Sequence, residues 1–99
     1  MIDAAPEYLQ TIARILAKHV PGCEIRVFGS RVNGTAKKYS DLDLAVVGKT
    51  RMAPDVPWRL KEAFEMCDLP FRVDVVDWEA LSDDFRNVIA RKYEILPAG

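Results

Sequence analysis

Gly29-Ser30-Arg31-Val32-Asn33-Gly34, followed after residues 35–40 by Asp41-Leu42-Asp43-Leu44-Ala45-Val46-Val47, is the stretch whose reading decides the fold. Just upstream, Glu24-Ile25-Arg26-Val27-Phe28 alternates polar and apolar residues and ends at Gly29, the pattern of a strand running into a turn. The stretch 41–47 reads as a second strand, closed by Gly48. Side chains alternate across a strand, so Asp41 and Asp43 share one face while Leu42 and Leu44 turn to the other, apolar face.

Outward from this centre the elements alternate. Residues 6–19 read as a helix, with Pro6 where a missing N–H costs little and Leu9, Ile12, Ile15 and Leu16 at helical spacing. Pro21-Gly22 stops it. Residues 49–57 form the longest loop, and 57–67 read as a second helix with Leu60, Ala63, Phe64 and Cys67 on one face. After the breaker Asp68-Leu69-Pro70, residues 71–76 read as a third strand. A last helix is expected over 82–92, with Ser82 as N-cap and Asp83 and Asp84 favourable in its first turn, and 93–96 is a candidate short strand. The expected fold class is α/β or α+β, a small mixed β-sheet covered by helices, in one domain over 1–99.

Composition narrows the function. With 14 Lys+Arg against 15 Asp+Glu the net charge is −1, which argues against nucleic-acid binding through bulk positive charge. The 49% apolar content is that of a globular chain. Cys23 and Cys67 fit neither a disulfide framework nor a zinc cluster and point to a reducing compartment. Apolar runs are too short for a membrane span, and Asp3 and Glu7 interrupt any signal peptide, so a cytoplasmic chain is expected.

Three features bear on chemistry. A glycine after the first strand lets backbone approach a ligand closely, and the N–H groups after it can cradle a phosphate; alone, Gly29-Ser30 is also an ordinary turn. Asp41-x-Asp43 holds two carboxylates a few ångströms apart on one strand face, where like charges call for a cation; hard oxygen donors suit Mg²⁺, while an isolated Asp-x-Asp is more often a solvated strand edge. Asp74 interrupts Val73-Asp74-Val75-Val76, and a charge in a β-branched strand must be paired, metal-bound or wet. A third carboxylate on a neighbouring strand is what two-metal phosphoryl transfer requires. Asp77, on the opposite parity, reads as a cap.

The spacing Gly29-Ser30, ten residues, Asp41-x-Asp43 resembles the Gly-Ser-x10-Asp-x-Asp signature of the DNA polymerase β-type nucleotidyltransferase superfamily. The longer run through Val46 most resembles its minimal nucleotidyltransferase family. The likeness extends from the leading helix through Arg72-Val73-Asp74-Val75-Val76-Asp77 to Phe85-Arg86 and Ile89. It implies that Gly29 and Ser30 bind a nucleotide triphosphate, that Asp41 and Asp43 bind metal, and that Asp74 is the third, catalytic carboxylate of the metal set. Arg31 falls where the family is commonly basic, and Ser40, at the corner before the Asp pair, is counted with the nucleotide-binding residues. Small members of the family resemble antitoxins paired with an all-helical HEPN ribonuclease, and are similar to protein adenylyltransferases that move AMP from ATP onto a toxin tyrosine.

The expectation is therefore an Mg²⁺-dependent, ATP-using antitoxin, with a HEPN-type toxin as partner and no membrane or direct nucleic-acid contact. Ninety-nine residues leave no room for an acceptor-gripping domain, so the expectation is an acceptor presented by a partner, or no acceptor at all. Two rivals are an occluding nucleotide-binding antitoxin without turnover and a small-molecule adenylyltransferase of the aminoglycoside-modifying kind. Lys37, Lys38, Arg86, Arg91 and Lys92 read as solvated charge, and His19 as a complement to a helix C-terminus. Cys23 and Cys67 read as small buried hydrophobes, and Trp58, Trp78, Phe64 and Phe85 as core. Tyr39, beside the Ser40-Asp41 corner, is a candidate for self-modification.

Overall fold

The computed structural model describes residues 1–97. In chain order the elements are α1 (Pro6–His19), β1 (Glu24–Phe28), α2 (Ser30–Asn33), β2 (Leu42–Val47), α3 (Val56–Glu65), β3 (Val73–Asp77), α4 (Asp83–Arg91) and β4 (Glu94–Ile95), with a 3-10 turn at Trp78–Ala80. The four strands form one mixed sheet in the order β3-β2-β1-β4. β1 runs antiparallel to β2 and to β4, whereas β2 and β3 are parallel, joined across α3. Parallel neighbours need a crossover connection, and a helix supplies it here.

Alternation along the strands divides the sheet into two faces. Ile25 and Val27 of β1 and Leu42, Leu44 and Val46 of β2 are buried beneath α1 and α3, where Ile12, Ala13, Leu16, Leu60 and Phe64 meet them. Burying a side chain of this kind contributes about 1.5–3 kcal/mol. The opposite face carries Arg26, Phe28, Asp43 and Ala45. There α4 closes over the sheet, with Phe85 edge-on to Phe28 at 6.1 Å and Ile89 buried. Arg26 lies 4.7 Å from the ring centres of both Trp78 and Tyr93.

The terminal signals act as the sequence suggests. Pro6 opens α1, Ser82 Oγ caps α4 by accepting from Phe85 N, and the candidate last strand forms as the two-residue β4. Asp77 is indeed a cap: Oδ1 accepts from Glu79 N at 3.2 Å, while Oδ2 accepts from Met52 N at 2.8 Å and ties the long loop to β3.

Five readings need correction. Gly29 to Gly34 is not a plain turn but contains the short helix α2. Trp58 is 65% exposed, because it lies off the Leu60–Phe64 stripe of α3. Phe85 is also partly outside, at 41% exposure. Cys23 and Cys67 are half-buried rather than buried. Asp41 lies one residue ahead of β2 rather than inside it.

Candidate active site

β1 ends at Phe28, and the chain turns through Gly29 at φ +80° and ψ −155°, a conformation that only glycine adopts without strain. The turn also needs the missing side chain for space, since a Cβ on Gly29 would collide with Asp43 Oδ2. The backbone of Gly29 therefore lies directly against the Asp43 carboxylate. α2 starts at once, so the amides of Ser30 and Arg31 precede the first intrahelical acceptor, Gly29 O, which takes Val32 N and Asn33 N at 3.0 Å. Gly34, left-handed at φ +86°, ends α2.

The register brings the carboxylates together. Phe28 pairs with Asp43 across β1–β2, and Asp43 pairs with Asp74 across the parallel β2–β3 ladder. Opposed residues of a ladder point to the same face, so Asp43 and Asp74 confront each other. Burial, with Asp74 and then Asp41 beside it, pushes the Asp43 carboxyl up from 3.8 to about 6. Asp41 belongs to the same electrostatic group, but its Oδ2 accepts from Arg72 Nη2 at 3.2 Å. In this side-chain arrangement no three carboxylate, imidazole or thiolate groups among the described residues are gathered tightly enough to hold an ion. The donor chemistry nevertheless fits one. Two hard oxygen groups face each other, a third lies adjacent, and Asp43 is held in an environment that disfavours its charge until a cation arrives.

Arg31 and Ser40 are placed differently from the phosphate-binding role expected of them. Arg31 is 6% exposed, and all three guanidinium nitrogens donate to backbone carbonyls: Nε to Ser40 O at 2.9 Å, Nη1 to Asp3 O at 2.7 Å and Nη2 to Lys38 O at 3.2 Å. Phe71 stacks on its other side at 4.2 Å. With its donors so committed, Arg31 braces the N-terminal segment and the loop ahead of Asp41 rather than reaching for a phosphate. Ser40 Oγ accepts from Lys37 N at 2.8 Å and closes the turn that delivers Asp41.

Beside the carboxylates a groove of about 800 Å³ opens between the β3 edge and α3. Asp41, Arg72 and Asp74 line it together with Pro57, Lys61 and Glu65 and the rings of Phe64 and Phe71. Gly29 and Ser30 do not line it, so the carboxylates stand between the glycine turn and the groove. The sequence reading missed both Arg72 and this groove. Arg72 was visible only as a cation two residues before Asp74, with nothing local to connect it to Asp41.

The sequence model of the family described as Polymerase beta, Nucleotidyltransferase matches residues 10–97. The chain belongs to that family. Over 95 residues this nucleotidyltransferase is 45% identical to the probable protein adenylyltransferase MntA of Haemophilus influenzae, covering 96% of this chain and 83% of that protein. It also resembles the crystal structure of a toxin–antitoxin with AMP-PNP, at a TM-score of 0.77 and 25% identity over 92% of this chain and 73% of the other. A tri-AMPylated Shewanella oneidensis HEPN toxin in complex with MNT antitoxin contains a chain of the same fold, with a TM-score of 0.68 at 24% identity over 92% of this chain and 70% of that one. Among the described residues no helix is long and apolar enough to cross a membrane.

Proposed function

We propose that this nucleotidyltransferase moves AMP from ATP onto a tyrosine hydroxyl of a HEPN-type toxin and so acts as the antitoxin of the pair. The observation that carries the reading is the meeting of Asp43 and Asp74 in register across β2 and β3, hard against the Gly29 turn. The Haemophilus relative, a probable protein adenylyltransferase, and the AMP-PNP toxin–antitoxin structure support the choice of reaction and partner.

In this reading the triphosphate lies over Gly29 and the first amides of α2, with the Ser30 hydroxyl beside them. Asp41, Asp43 and Asp74 would hold Mg²⁺, Asp41 turning away from Arg72 to do so. Bound there, Mg²⁺ would neutralise phosphate charge and favour ionisation of the attacking hydroxyl. The acceptor enters from the groove side, its oxygen bonds to the α-phosphorus, and pyrophosphate leaves toward the glycine turn. Asp74, exposed and lining the groove, would take the hydroxyl proton. Most of the catalytic effect is positioning and charge neutralisation. Two free, half-buried cysteines and the need for ATP fit work in the cytoplasm.

The test is intact-mass spectrometry after incubating the chain with ATP, Mg²⁺ and its toxin partner. AMP units on the partner, absent with Asp43→Asn, are expected. A stable complex that silences the toxin equally well with Asp43→Asn and without mass change would instead establish occlusion.

A further inference from the structure

Tyr39 is the one large aromatic that the site's own bracing pushes into the open. It is 69% exposed, yet its backbone is tightly held. Arg31 grips the carbonyls of Lys38 and Ser40 on either side of it, and Ser40 Oγ closes the same turn onto Lys37 N. Lys38 Nζ lies 5.3 Å from the ring centre. The side chain so presented lines the groove together with Asp41 and Asp74, on the side from which an acceptor hydroxyl would enter. The buried Arg31 fixes the two loop carbonyls that flank Tyr39 and so holds it at the groove, two residues before Asp41 in the chain.

We propose that Tyr39 is an acceptor for the chain's own transfer, adenylylated in cis when no partner tyrosine fills the groove. The inference rests on the AMP-transfer reading of the site. The Tyr39 Oη lone pair would form the bond to the α-phosphorus of ATP. The bond from that phosphorus to the α,β-bridging oxygen breaks, its electron pair leaving with pyrophosphate. The phenolic proton passes to Asp74 and on to water. An AMP so attached occupies the groove that an incoming tyrosine needs, so self-modification and partner modification compete. Fixed geometry favours such a reaction, since holding acceptor and reacting centre in one molecule replaces a bimolecular encounter.

The experiment is incubation of the full chain alone with ATP and Mg²⁺, followed by intact-mass spectrometry and peptide mapping. One AMP unit on Tyr39 is expected, with a rate constant independent of chain concentration. It should be absent with Tyr39→Phe, with Asp43→Asn of unchanged circular dichroism, and with wild type given α,β-methylene ATP. AMP on another residue, a gain retained by Tyr39→Phe, or a rate that rises with chain concentration overturns the proposal. With the toxin partner supplied, AMP on the partner but never on the chain alone overturns self-transfer and leaves the proposed function standing. AMP on neither protein overturns both.

Discussion

Arg72 Nη2 donates to Asp41 Oδ2 at 3.2 Å, linking the residue before β3 to the residue before β2 across 31 positions of sequence. Asp41 in turn raises the Arg72 pKa, through this hydrogen bond first and its charge second. The guanidinium thus stands near where a divalent cation would be needed, and any ion that recruits Asp41 must displace it. Arg72→Gln is expected to tighten Mn²⁺ or Mg²⁺ binding to the nucleotide-free chain by about two- to fivefold, the scale of an exposed ion pair. Isothermal calorimetry checks this, and weaker metal binding in the variant would refute the competition.

Gly29 carries two constraints at one atom. Alanine at φ +80° is strained, and its Cβ would drive into the Asp43 carboxylate. Gly29→Ala should lose about 1–3 kcal/mol of stability in urea unfolding. Transfer should fall by about 10²-fold or more, because displacement of one positioned group by an ångström has that effect.

Arg31 separates a brace from a ligand. Arg31→Lys keeps the charge but cannot span the carbonyls of Asp3, Lys38 and Ser40. It should cost about 1–3 kcal/mol in urea unfolding, as expected when part-buried acceptors lose a charged donor. A phosphate ligand would behave otherwise: the same variant would raise KM for ATP and leave the unfolding midpoint unmoved.

Asp43 predicts a pH signature. Its carboxyl ionises near 3.8 in the unfolded chain and at about 6 in the fold, so between those values the folded state binds more protons. Its contribution to stability therefore falls as pH rises through that window and stays lowered above it. In chelator, Asp43→Asn should melt a few degrees above wild type at pH 7.5, and the gap should close toward pH 4. Equal melting temperatures at both pH values would show that Asp43 carries no such strain. Transfer should be lost in this variant at every pH.

The sequence by itself determined the local features: Gly29 at a strand end, the apolar stripes of α1 and α3, the Ser82 cap, and the parity that sets Asp43 against Leu42 and Leu44. These follow from spacing and backbone preference over a few residues, and they suffice to recognise the family. Trp58 reads as core from its aromatic character alone, yet it lies off the Leu60–Phe64 stripe and is exposed. Only the tertiary structure decided which groups meet. Asp43 faces Asp74 because β2 and β3 are parallel and in one register, a pairing created by the α3 crossover. Arg31 reads as a phosphate ligand from its neighbours Gly29 and Ser30, yet the fold brings Asp3 O from 28 residues away to claim it. Arg72 and Asp41 are likewise strangers in the chain. Charges and hydrogen-bond donors act over a few ångströms in any direction, and which partners come within that reach depends on the folded path rather than on the order of residues.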